Sequence, residues 1–130
     1  MSIKRKRTLW SFKEELLSKS KESMLNAVTI FNNPNIQFKT ESFIVLSVIS
    51  WMYLHHAYYR EMKIDYRYYK KNKLRKKYDK TKHGAFKYWE LERCLDDENC
   101  PVDDISKANL KFLIGLRHEI EHQMTTKIDE

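Results

Sequence analysis

Apolar residues recur at helical spacing in three stretches of the chain. Between about Thr8 and Phe31, Leu16, Leu17, Met24, Leu25, Val28 and Phe31 fall largely three and four apart with polar residues between them, which predicts an amphipathic helix. Asn32-Asn33-Pro34-Asn35 ends it, because Asn tolerates left-handed backbone angles and the residue before a proline is pushed out of the helical region. After a short connector, Ile36 to Lys39, a second helix is predicted to open at Thr40 as N-cap, with Glu41 in its first turn, and to run to about Met62. Its interior, Phe43 to Leu54, is apolar on nearly every face, so it should be buried on more than one side or share in a subunit interface.

The third stretch is the last helix, predicted from about Ile105 to Met124 behind an Asp103 or Asp104 cap. At about 100° per residue, Leu113, Leu116, Ile120 and Met124 share a core stripe, with Leu110 and Asn109 at its margins. Between the second and last helices the pattern changes. Ile64 to Tyr69 has a strand-like composition, an irregular basic insertion follows, and Phe86 to Leu95 reads as a short amphipathic helix. The acidic segment Asp96 to Asp104 lacks the spacing of a calcium-binding loop and reads as a solvated connection.

Composition narrows this to a single mostly helical domain. The chain has 130 residues, enough for one core, and its two Gly and two Pro argue against a many-stranded sandwich or barrel, where turn signals recur. The expected fold is therefore all-α: three long helices and a short one. No apolar run reaches the roughly 20 residues that span a bilayer, and an amphipathic segment, not an apolar core, follows the basic Met1 to Arg7, so a cytoplasmic protein is expected. Cys94 and Cys100 form no dense Cys/His cluster and read as idle thiols.

The net charge of +7 favours an anionic partner. Nine Lys/Arg residues lie between Arg67 and Lys82, interleaved with Tyr68, Tyr69 and Tyr78. Cations that hold phosphates beside aromatic faces that stack on bases are what single-stranded RNA binders use, so Arg67, Lys70, Lys71, Lys73, Arg75, Lys76 and Lys77 are candidate RNA contacts. A solvated loop with no ligand is the plain alternative.

The chemistry concentrates in Leu116-Arg117-His118-Glu119-Ile120-Glu121-His122. Arg117 falls within about 40° of the core stripe, while His118 and His122 share the far side of the helix one turn apart. An arginine there keeps its charge and needs a carboxylate, a cleft or a phosphate; Glu121, one turn on, is the nearest carboxylate. Two motifs can be read. His118-Glu119-x-x-His122 matches a zinc-hydrolase pattern, but a third ligand is wanting downstream, with Ile128 where an extended motif needs His. His55 or His56, adjacent and so about 100° apart on the second helix, would have to supply it.

The other motif is Arg117-x4-His122, with the polar His118 directly after the arginine. Together with Asn26 to Pro34, Thr40-Glu41-Ser42-Phe43, Ile49-Ser50-Trp51 and Asn109 to Leu116, it resembles the HEPN superfamily (higher eukaryote and prokaryote nucleotide-binding domains), and within it the branch called domain of unknown function 3644. The blocks span about residues 20 to 125. After Trp51, where that branch is expected to carry an acidic residue and then a lysine, this chain has Met52 and His56.

The resemblance implies a helical bundle that dimerises through its last helix and helix two, so that two R-x4-H helices meet in one cleft and cut RNA without metal or other cofactor. It implies Arg117, His118 and His122 as the catalytic set, with Glu121 and His56 supporting, and a setting in phage defence or a toxin system with an antitoxin-like or other regulatory partner. A non-catalytic HEPN-like module that binds nucleic acid or protein is the alternative within the same resemblance. Such bundles commonly carry another helix beyond the motif, so the chain is expected to be either a minimal version or the N-terminal part of a longer protein.

Overall fold

A computed structural model describes residues 12–129, with side chains placed as far as His122. The predicted helix start at Thr8 and the Met124 side chain lie outside the described residues. Helix α1 spans Phe12–Phe31 and α2 Lys39–Glu61; a hairpin of β1, Tyr69–Asn72, and β2, Arg75–Tyr78, follows, then the short α3, Leu91–Asp96, and α4, Asp104–Asp129. The fold is mostly helical, as the periodicity predicts, but it is not purely α: the basic insertion is an ordered antiparallel hairpin.

α1 and α2 form a closely packed helical hairpin, and small residues make the closeness possible. Ser20 Oγ donates to the Ser50 carbonyl at 2.8 Å and Ser50 Oγ donates back to the Ser20 carbonyl at 2.7 Å, both buried. Ala27 is fully buried, whereas the larger apolar residues of α1 (Leu17, Leu25, Val28 and Phe31) stay exposed. The turn between the helices carries an Asx bond, from the Asn35 N–H to Asn33 Oδ1 at 2.9 Å. Thr40 does not cap α2: the helix begins at Lys39 behind Phe38, which is left-handed at φ 56° and makes no side-chain cap bond.

The far end of α2 closes in a Schellman motif. Lys63, left-handed at φ 58°, donates to the Arg60 carbonyl, and the Ile64 N–H donates to the Tyr59 carbonyl at 2.8 Å. Ile64 then packs against Tyr59, the apolar contact that usually accompanies this stop.

α2 is buried on several sides, as its all-round apolarity predicts. Val48 joins Leu91 and Leu95 of α3 and Leu110 and Ile114 of α4 in one core cluster, with Trp51 and Met52 packed beside it. Tyr59 joins Tyr66, Trp89 and Cys94 in a second, aromatic cluster that anchors the hairpin to the end of α2. α3 is shorter than the predicted 86–95 segment because its first residues are recruited elsewhere. Phe86 and Tyr88 make isolated β-bridges to Lys80 and Arg67, extending the hairpin's base.

Candidate functional site

On α4 the buried stripe is rotated from the predicted one. Leu110 and Ile114 are buried, Leu113, Leu116 and Ile120 only half-buried, because the helix wedges against both α2 and α3. Four- and three-residue steps continue from Leu110 and Ile114 to Arg117 and Glu121, so Arg117 lies on the inward stripe itself. Its Nε donates to Glu121 Oε1 at 3.2 Å, and its side chain is 33% exposed. His118 and His122 lie on the exposed face. Arg117 and His122 therefore project about 140° apart from one helix, and a single chain does not aim both at one point. The histidines share a face, yet among the described residues no three His, Cys, Asp or Glu side chains stand together in a way that could hold a metal ion.

His56 does not join this group. Cys100 Sγ lies 3.7 Å from His55 Nε2, and Leu110 and Ile114 then pack on Val48, so α4 runs toward the start of α2. At ~1.5 Å per residue, His56 is ~12 Å beyond Val48 in one direction and Arg117 ~4.5 Å beyond Ile114 in the other, roughly 16 Å apart along the bundle. His56 instead binds the Trp89 carbonyl through Nε2 at 2.7 Å and stacks on Tyr66 with ring centroids 4.6 Å apart. Its predicted supporting role gives way to one in the hairpin's anchorage. His55 binds the Trp51 carbonyl through Nδ1 at 2.8 Å. Burial, only partly offset by these carbonyl bonds, lowers both histidines' pKa below the usual 6.5.

That has a consequence for pH. In the fold both rings stay neutral to lower pH than in the unfolded chain, so the unfolded chain takes up more protons as pH falls through about 6.5. Stability is then fully present above that value and declines below it. Urea midpoints are expected to fall between pH 7.5 and 5.5, above the carboxylate range, and to fall less in His56→Gln; a flat profile would contradict the assignment.

The hairpin gathers six cations with no carboxylate between Tyr69 and Tyr78. Lys70 pairs directly with Lys77 and Lys71 with Lys76 across the strands, and the two-residue tip is Lys73, left-handed at φ 57°, and Leu74, 99% exposed. Among the described residues, Lys70, Lys71, Lys73, Arg75, Lys76 and Lys77 have no carboxylate within ion-pair distance. Lys76 sits over the Tyr69 ring at 4.7 Å.

Arg67 departs from the other candidate RNA contacts. Its Nε and Nη2 donate to the two oxygens of Asp65 at 2.9 and 3.1 Å, and its guanidinium lies 3.9 Å from the Tyr78 ring centroid. Tyr78 Oη donates to the same carboxylate at 2.7 Å. The Arg67 bond and the Tyr78 hydroxyl together hold the Asp65 carboxyl down at about 2. Arg67 is thus first a clamp on the hairpin's base. Asp65, Phe86 and Tyr88 escape a reading of the basic run alone; the adjacent aromatic and acidic residues were their only signal.

Cys94 is fully buried, and burial pushes its thiol up to about 12, in line with an idle thiol. No helix among the described residues is long and apolar enough to cross a membrane.

Fold and surface together define a mostly helical protein with a polar R-x4-H helix at one end and a cationic hairpin at the other. Residues 15–130 match the family described as Domain of unknown function (DUF3644), and the chain belongs to that family. Among curated proteins and solved structures, none matches it.

Proposed function

We propose that the protein is a metal-independent endoribonuclease of HEPN type whose site forms where the α4 helices of two chains meet. The observation that carries this reading is the register of α4, with Arg117 on the inward stripe and His118 and His122 exposed about 100° and about 140° around from it. A second α4 related by a two-fold axis brings the histidines of one chain toward the arginine of the other, an isologous contact.

In that cleft His122 takes the proton of a ribose 2′-hydroxyl or delivers one to the leaving 5′-oxygen. The 2′-oxygen bonds to phosphorus as the bond to the 5′-oxygen breaks, leaving a 2′,3′-cyclic phosphate and a 5′-hydroxyl. Arg117, released from Glu121, neutralises the phosphate's growing charge, and His118 hydrogen-bonds the same phosphate. The need for a 2′-hydroxyl restricts the reaction to RNA. Phage defence or a toxin system in the cytoplasm, with an antitoxin-like or other regulatory partner, is the setting this activity fits.

The Arg117–Glu121 pair favours a second reading, a non-catalytic RNA-binding module in which the arginine only ties α4 to itself. Incubating the protein with RNA with and without a chelator separates them. Cleavage unchanged by chelator supports the nuclease; cleavage lost to it points to the zinc motif, and intact RNA in both tubes to the binding module.

A further inference from the structure

Three cavities abut along one side of the hairpin and its base. The first, about 760 Å³, is lined by Lys70, Lys77, Lys80 and Lys87 around Tyr78 and Phe86. The second, about 380 Å³, shares Phe86 and continues to Arg67, Tyr88 and Arg60. The third, about 520 Å³, shares Arg60, Tyr66 and Tyr88 and ends at Tyr53, His56 and Lys19. Cations and aromatic rings line all three, with one carboxylate in each: Asp79, Asp65 and Glu15.

We propose that this path is a groove for single-stranded RNA, with lysines on the phosphates and an unstacked base on Tyr88. The proposal rests on RNA being the substrate, as read above. Charge is the first argument. Five lysines line the first cavity against one carboxylate, Asp79. Lys70 and Lys77, directly opposed and both lining the first cavity, repel each other. A polyanion relieves that repulsion along its length.

The rings supply the second argument, and they select the strandedness. His56 stacks on Tyr66 at 4.6 Å, and Tyr88 lies tilted against both rings at 5.0 and 6.1 Å on the outside of the cluster, its residue 42% exposed. Phe86, 38% exposed, lies between the first two cavities with the Arg67 guanidinium 4.7 Å and the Lys80 ammonium 5.5 Å from its ring centroid, so Tyr88 is the ring left for a base. Accessible ring faces suit bases splayed out of a strand, while an A-form duplex keeps its bases stacked inside. The groove's near end, at Tyr53 and His56, lies roughly 12 to 16 Å along the bundle from the same chain's Arg117, and its hairpin end lies farther away. Gripping and cutting are therefore separable.

The test uses the full chain carrying Arg117→Ala and His122→Ala, so that probes are not cut, and fluorescence anisotropy with a labelled 12-nucleotide oligouridine and a 12-base-pair RNA duplex. The single strand is expected to bind more tightly than the duplex. Lys77→Ala, Lys80→Ala and Lys87→Ala together, all exposed positions, should weaken binding by roughly tenfold or more and flatten the dependence of log affinity on log salt by about 2, at ~0.7 per lost phosphate contact. Tyr88→Leu should weaken binding about tenfold with the salt slope unchanged, and Tyr88→Phe should restore it. Wild-type affinity and slope in the triple-lysine protein, preference for the duplex, or no binding at all would overturn the groove. RNA bound through the groove but left intact by the wild-type protein would instead sink the nuclease and leave the groove standing.

Discussion

Arg117→Ala and His122→Ala proteins are each expected to cleave RNA at least about a hundredfold more slowly than the wild type, with the fold retained. Removing a proton-transferring histidine or a charge-stabilising donor typically lowers a rate by roughly 10² to 10⁴. Stability should hardly change, because the Arg117–Glu121 pair is half-exposed on one helix and such pairs are worth about 0.3–0.5 kcal/mol. Initial cleavage rates and thermal melts on the same preparations check both halves. If Arg117 only ties α4 to itself, the substitution leaves any cleavage unchanged. Glu121→Gln sharpens the contrast, since it frees Arg117 without removing it and should leave a working nuclease.

Trp89→Ala is expected to destabilise the protein by about 3–5 kcal/mol, the usual result of deleting a buried Trp or Phe side chain. Trp89 is 6% exposed, lies edge-on to Tyr59 at 5.5 Å and carries the Arg93 guanidinium at 3.9 Å from its ring centroid. Its backbone also receives the His56 bond and donates to the Tyr66 carbonyl at 2.8 Å. The emptied space would therefore open at the joint between α2, α3 and the hairpin. Against a whole-domain stability of about 5–15 kcal/mol, this is a large part. Urea denaturation should show it as a lower midpoint; a loss below about 1 kcal/mol would mean that the aromatic cluster is not what anchors the hairpin.

The long helices could be read from the sequence because their apolar spacing repeats over many turns, and the apolar run of α2 announced its central place. What escaped the pattern depends on partners far along the chain. The hairpin's strands are mostly basic, with no alternation to mark them, and their pairing is enforced from the base by Asp65, Arg67 and Tyr78. Ser20 and Ala27 carry the tightest α1 contacts because they are small, which a search for large apolar residues passes over. The start of α2 was misplaced by two residues, since Thr40 looks like a cap while the Phe38 backbone does the work of the turn.

The candidate site was legible in part. Arg117, His118 and His122 stood out as a dense polar cluster on one helix and the family resemblance implied them as the catalytic set; the structure places Arg117 on the inward stripe of α4 and both histidines on its exposed face. His56 was drawn in by its place in the family pattern, but its ring is held by Trp89 and Tyr66 at the other end of α2. Arg67 belonged to a basic run, and only the folded chain reveals Asp65 beneath it. Charge counts find a surface; they do not say which of its cations are already engaged.

Arg117 and His122 of one chain diverge by about 140°, so the proposed nuclease requires a site shared between two chains. Co-expressing the Arg117→Ala and His122→Ala proteins tests this most directly, because a mixed dimer keeps one site with Arg117 from one chain and His122 from the other. The mixture is expected to regain cleavage that neither protein has alone. A mixed dimer, isolated as such, that stays as inactive as its parents would contradict it.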